Sequence, residues 1–135
     1  MRQVAGGPPI VIVVDDDPDV LDSLTFAFAI DGFEVRAHDC AEDLLACDAL
    51  PANGCLVLDY QLRKMNGLEL LERIRQSGHD LPAVLITTPQ AALSREAALI
   101  GVPIVEKPLL CDTLINKVRE LLRARNPTVQ DFDPS

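Results

Sequence analysis

The sequence predicts an α/β fold, a doubly wound sandwich in which one parallel five-stranded sheet lies between layers of helices. Ile10 to Val14 and Cys55 to Leu58 are short, uninterrupted apolar runs, the pattern of strands covered on both faces rather than strands with one wet side. Both runs stop abruptly at carboxylates, Asp15-Asp16-Asp17 and Asp59, at the strand ends where open α/β sheets place their ligands. Segments of helical spacing alternate with the strand-like runs through short loops, and right-handed crossovers assemble such a pattern into one sheet. A chain of 135 residues is long enough for one domain of this kind and too short for two.

After the first strand, Pro18 suits the first turn of a helix, with Asp16 or Asp17 as N-cap. Val20, Leu21, Leu24, Ala27 and Phe28 recur at helical spacing up to Ile30, and Asp31-Gly32 ends the helix. Residues 33–38 alternate enough for a second, more peripheral strand. A helix over 41–49 follows, entered from Asp39 or Cys40 and closed by Leu50-Pro51 and Asn53-Gly54. Beyond Asp59 and a loop over 60–65, Asn66 caps a helix with Leu68, Leu71 and Ile74 inward and Glu69, Glu72, Arg73 and Arg75 outward. Ser77-Gly78 closes it. Residues 81–87 form a fourth strand, apolar until Thr87 and Thr88, and Pro89 opens a short alanine-rich helix ending near Ile100-Gly101. Residues 103–106 form a fifth strand that leads into Lys107-Pro108. The last helix covers 109–124 with Leu114, Val118, Leu121 and Leu122 as its core stripe. Residues 1–9 are an N-terminal extension and 125–135 a tail expected to fray.

Hydrophobic residues make up 48% and charged residues 24%, which fits a soluble globular chain and argues against a disordered one. No apolar run is long enough to span a bilayer, and the first nine residues lack a signal-like apolar block, so a cytoplasmic protein is expected. The net charge of −9 repels nucleic acid and anionic membranes, so neither is an expected partner. Cys40, Cys47, Cys55 and Cys111 share no metal-ligand spacing and read as buried or half-buried thiols of a reducing compartment. His38 and His79 are assigned no chemistry.

If the first and third strands are central and parallel, Asp15, Asp16 and Asp59 converge at one lip of the sheet. Like charges that close disfavour one another's ionisation, so a cation is expected among them. An all-oxygen set suits Mg²⁺, or Mn²⁺ in its place, which keeps waters that a phosphate can replace. Thr87 and Lys107, at the ends of the fourth and fifth strands, add a hydroxyl and an ammonium of the kind phosphoryl transfer uses.

Four segments stand in order: Val13-Val14-Asp15-Asp16, Leu56-Val57-Leu58-Asp59 with Met65-Asn66-Gly67 after it, Leu85-Ile86-Thr87, and Glu106-Lys107-Pro108. Together they resemble the receiver domain of bacterial two-component response regulators, the CheY-like family, over residues 10–124. The resemblance implies a flavodoxin-like (βα)5 three-layer sandwich with strand order 2-1-3-4-5. It implies that Asp59 is the phosphoacceptor, attacking the phosphorus of a phosphohistidine on a sensor histidine kinase or phosphotransfer protein. Asp16 would then bind Mg²⁺ directly and Asp15 mainly through water, with Asp59 and the backbone carbonyl of Gln61 completing the protein ligands. Lys107 would pair with a phosphoryl oxygen and Thr87 would turn its hydroxyl onto the phosphoryl group. The expected function is a stand-alone receiver that acts in a phosphorelay, as a phosphate sink or as a regulator of a separate protein target, with the outer faces of the first and last helices as candidate homodimer surfaces.

Several positions depart from the family's pattern. Arg63 stands where proline is usual, which loosens the loop or lets Arg63 reach an anionic partner. Thr88 replaces a smaller residue and Gln61 lies near the path of attacking water, so both bear on phosphate lifetime. The interval from Thr87 to Lys107 is shorter than in many relatives, and Ile104 occupies the place of an aromatic that rotates inward on activation. These last two features favour a second reading, a receiver-like interaction module that works without phosphorylation. A haloacid-dehalogenase-type phosphohydrolase is more remote, because its acid/base aspartate would have to stand where Gln61 is. A flavin binder of the same topology conflicts with three acids beside the flavin phosphate. Helix capping alone accounts poorly for Asp15 to Asp17, since one acid suffices for a cap.

Overall fold

The computed structural model describes residues 9–47, 50–87, 101–106 and 111–125. Strands β1 (Ile10–Val14), β2 (Glu34–His38), β3 (Gly54–Asp59), β4 (Ala83–Thr87) and β5 (Ile104–Glu106) form one parallel sheet in the order β2-β1-β3-β4-β5. Helices α1 (Pro18–Ile30), α2 (Ala41–Leu45), α3 (Gly67–Gln76) and α4 (Cys111–Arg125) connect or follow them. The doubly wound α/β sandwich and its strand order are as expected. The short helix expected between Pro89 and Ile100 lies outside the described residues.

Alternation along the central strands builds two cores. Ile12, Val14, Leu56, Leu58 and Leu85 pack with Ala41 and Leu44 of α2 and with Leu70, Leu71 and Ile74 of α3. The intervening residues Val11, Val13, Val57, Val84 and Ile86 pack with Leu24 and Phe28 of α1 and with Leu114, Ile115 and Val118 of α4. Every residue of β1, β3 and β4 is buried, which explains their unbroken apolar runs, whereas edge strand β2 leaves Glu34, Arg36 and Ala37 exposed.

Capping marks both ends of α1 and α3. The Asp17 carboxylate accepts from the Asp19 N–H at 3.0 Å, so Asp17 rather than Asp16 is the N-cap of α1. At α3, Asn66 Oδ1 accepts from Glu69 N at 2.8 Å and Glu69 Oε1 accepts from Asn66 N at 2.9 Å, a reciprocal capping box. Gly32 and Gly78 just beyond α1 and α3 adopt φ of +97° and +95°, which a side chain would strain. Arg119 of α4 pairs with Asp31 at the end of α1, and its guanidinium lies 5.2 Å from the centroid of the Phe33 ring.

Several boundaries differ from expectation. Helix α2 ends at Leu45 instead of 49: its N-cap Cys40 makes no side-chain cap bond, and only Ala41 and Leu44 are buried. On α3 the inner face is Leu70, Leu71 and Ile74, with Leu68 half-buried on the flank, because Gly67 pressed against the β3 end sets the helical phase. Phe33 does not open β2; its N–H donates to Phe28 O at 3.0 Å and its ring stacks edge-on against Phe28. Strands β4 and β5 begin after Pro82 and Pro103, which lack a ladder donor and offer only carbonyls, to Leu56 N at 2.8 Å and Leu85 N at 3.0 Å. Ile115 joins Leu114 and Val118 in the core of α4, and Leu121 and Leu122 are half-buried beside them. Ile30, read as part of the apolar series of α1, is 68% exposed. No helix among the described residues is long and apolar enough to cross a membrane.

Cys55 is sealed in the α1/α4 core, where burial pushes its thiol up to about 12, while Cys47 is exposed rather than half-buried. The unfolded thiol ionises near its ordinary 9.0 and the folded one near 12, so this group makes stability fall as pH climbs through that window. In mildly alkaline buffer iodoacetamide is expected to modify Cys47 quickly and Cys55 only after denaturation, as peptide mass spectrometry would read out. Rapid native-state labelling of Cys55 would contradict the packing described.

Candidate functional site

The site is built where β1 and β3 run out. The register sets Val14 opposite Leu58, so Asp15 and Asp59 follow at the same level of neighbouring strands. Backbone pairing continues past both: Asp15 N donates to His38 O at 3.2 Å, and Tyr60 N donates to Ile86 O at 2.9 Å. The two acids are therefore held by the sheet, and Asp59 is the last residue of a wholly buried strand rather than the point where burial ends. Asp15 and Asp59 are 1% and 3% exposed, and Asp16 is half-buried. Each of the three offers one oxygen such that all lie within 4.8 Å of one another.

Local hydrogen bonds fix these carboxylates. Asp15 Oδ1 accepts from Asp17 N at 2.9 Å, and Asp59 Oδ1 accepts from Gln61 N at 3.3 Å, so each acid folds the following loop back onto itself. Asp16 Oδ2 lies 3.6 Å from Arg63 Nε. The next residue, Lys64, reaches the other way to Glu42 at 3.2 Å; a backbone hydrogen bond first, and Lys64 second, hold the Glu42 carboxyl below its ordinary value. Two exposed ion pairs thus run from the loop after β3, one to Asp16 and one to Glu42.

Helix α3 closes the floor. Gly67 N donates to Tyr60 O at 2.9 Å, and a Cβ on Gly67 would fall 2.7 Å from the Asp59 carbonyl oxygen and 2.8 Å from Leu85 Cδ2. Only glycine lets the helix start so close to the acid's own backbone. Asn66 also donates from Nδ2 to the Tyr60 hydroxyl at 3.4 Å.

At the end of β4, Thr87 is 2% exposed, and its Oγ1 has no hydrogen-bond partner among the described residues. It stands one position past Ile86, which is in register with Asp59. Ile104 in β5 is half-buried against the α2/α3 core and pairs with Leu85 in the ladder. Gln61 and Arg63 are exposed. Lys107 and Thr88 lie outside the described residues.

The donor set fits a hard divalent cation. Carboxylates this close repel by a few kcal/mol per pair at an effective dielectric of about 20, and two of them are buried away from water. An oxygen-only cluster with one accessible member is what an ion that retains part of its water shell needs. A hydroxyl on the neighbouring strand end adds a donor for an incoming oxyanion. The three acids come together as the sequence implies; Arg63, for which the sequence left a looser loop or an anionic partner open, lies beside Asp16 of the same chain, and the capping box was not foreseen. The box was legible as Asn66-Gly67-Leu68-Glu69, whereas the Arg63 contact carried no sequence signal.

Fold and site together define an α/β domain with an acidic, cation-ready lip. Comparison with known families makes this specific: the profile of the response regulator receiver domain matches residues 11–119, and the chain belongs to that family of two-component signalling. It is 30% identical over 133 residues to the probable transcriptional regulatory protein TcrX of Mycobacterium tuberculosis, covering 97% of this chain and 57% of that protein. It is 35% identical over 122 residues to the response regulator MprA of Mycobacterium avium, covering 87% and 52%. The chain thus spans about half the length of these curated relatives. Among solved structures, full-length FixJ from B. japonicum superposes with a TM-score of 0.81 at 28% identity, over 92% of this chain and 62% of that one. A CheY-like receiver from Methanospirillum hungatei JF-1 gives 0.80 at 24% identity, over 90% and 99%, and speaks for the fold.

Replacing Gly67 with alanine is expected to destabilise the fold by about 1–3 kcal/mol, because the new methyl must push the Asp59 backbone or Leu85 aside. Urea unfolding monitored by circular dichroism measures it. A neutral substitution would mean that α3 does not bear on the site as described.

Proposed function

We propose that this receiver takes a phosphoryl group on Asp59 from a phosphohistidine of a sensor kinase or phosphotransfer protein, and thereby changes a surface that a downstream protein reads. The observation that carries the proposal is the meeting of Asp15, Asp16 and Asp59 oxygens within 4.8 Å at the carboxyl edge of the sheet. In the transfer, an Asp59 oxygen attacks phosphorus in line, the P–N bond to the donor histidine breaks with its electron pair left on the imidazole, and an acyl phosphate results. A Mg²⁺ held by Asp16, Asp59 and the Gln61 carbonyl, with Asp15 acting through water, would neutralise charge on the phosphoryl oxygens.

The remaining steps belong to the chain itself. The Gln61 N–H on Asp59 Oδ1 helps to hold the carboxylate in the orientation from which an oxygen attacks. The buried Thr87 hydroxyl supplies a hydrogen bond that a phosphoryl oxygen would accept, and an unmade bond of this kind is worth about 1–3 kcal/mol. Lys107 offers an ammonium to another oxygen, a role that rests on its place in the Glu106-Lys107-Pro108 segment. Phosphorylation adds close to two negative charges, and the contacts they make bias the loops around the lip by a coupling of about 1–3 kcal/mol.

A phosphorylation-independent interaction module is the second reading. Ile104 favours it, since this half-buried aliphatic packs against the core where the family pattern has a mobile aromatic. Incubation with Mg²⁺ and acetyl phosphate, read by intact-protein mass spectrometry, separates the two. The expected result is a labile gain of one phosphoryl group, lost in Asp59→Asn and on chelation of the metal. No gain, from acetyl phosphate or from a phosphohistidine donor, would favour the interaction module. Multiple turnover of small phosphate esters would point to a hydrolase.

A further inference from the structure

Arg63 stands where the sequence pattern of the family has proline, and the structure turns it inward toward the acids. Its Nε is 3.6 Å from Asp16 Oδ2, while its side chain is 82% exposed and that of Asp16 is 25% exposed. Asp16 is the most accessible of the three clustered carboxylates, and therefore the one an arriving cation meets first. We propose that Arg63 is a built-in competitor for the divalent cation: its guanidinium and the metal contend for the Asp16 carboxylate. The inference rests on the metal reading given above and deepens it.

Three features support competition over a permanent clamp. The loop that carries Arg63 is short and is turned inward by the Gln61 N–H on Asp59 Oδ1 at 3.3 Å, so Arg63 starts within reach of Asp16. That placement keeps its effective concentration high. An exposed ion pair at this distance is weak, so it can yield to a doubly charged ion without unpacking anything. The guanidinium also fails to replace the metal, because it carries one diffuse charge and no open coordination position for a phosphate oxygen. Once displaced, Arg63 still lies near the lip and lowers the local negative potential that draws the cation in.

Isothermal titration of MgCl₂ into the full chain tests this without any phosphoryl transfer. Arg63→Ala is expected to bind Mg²⁺ about two- to fivefold more tightly than wild type, with the gap narrowing as NaCl is added. Arg63→Lys should remain near wild type because the charge is kept. Lys64→Ala removes the same charge from the adjacent position but its partner is Glu42, so it should also remain near wild type. Urea midpoints of the variants check that folding is not at issue. Equal or weaker binding by Arg63→Ala, or an equal gain in Lys64→Ala, would overturn the competitor role while leaving the metal site standing. Absence of Mg²⁺ binding by both wild type and Arg63→Ala would overturn the metal reading and this inference together.

Discussion

Electrostatic repulsion among Asp15, Asp16 and Asp59 is the constraint around which the rest of the domain is arranged. Buried carboxylates cost a fold stability unless they are paired, hydrogen-bonded or neutralised by an ion. Here parallel pairing of β1 with β3 forces two of them to the same level, and the β1–α1 turn adds a third. A sheet selected for stability alone would put apolar or singly charged residues there. The concentration of negative charge makes sense as a receptacle for a cation and for chemistry that the cation supports.

The surrounding structure keeps those oxygens in place against their mutual repulsion. Ladder bonds run one residue beyond each strand, to Asp15 and Tyr60, and side-chain-to-backbone bonds turn the following loops inward. The capping box fixes where α3 begins, and Gly67 allows that helix to sit on the Asp59 carbonyl. Both core layers contribute, since β1 and β3 are covered from one side by α2 and α3 and from the other by α1 and α4. Asp15 and Asp59 therefore rest on the buried centre of the sheet, while the basic residues Arg63 and Lys64 sit on an exposed loop.

Much of this was legible before any coordinates. Apolar runs ending in carboxylates marked β1 and β3 because a strand buried on both faces tolerates no charge until the lip is reached, and the alternation with helical segments fixed the layer order. The family motifs extended that reading to the strand order. What escaped were effects of phase and partner. Leu68 and Leu70 both satisfy a helical stripe, and only the seating of Gly67 on β3 selects between them. Helix α2 is ambiguous in sequence because alanines and leucines continue past Leu45, where the helix stops. Arg63 could have faced any anion, and nothing in the linear order places it beside Asp16.

Cation binding and folding are linked here, because an ion that relieves repulsion in the native state has no comparable site in the unfolded chain. The most direct measurement is the urea midpoint of the wild-type chain against MgCl₂ concentration at constant ionic strength. A midpoint that rises steadily once the metal exceeds its dissociation constant is the predicted result. A midpoint indifferent to Mg²⁺ would contradict the claim that the three carboxylates form a cation site.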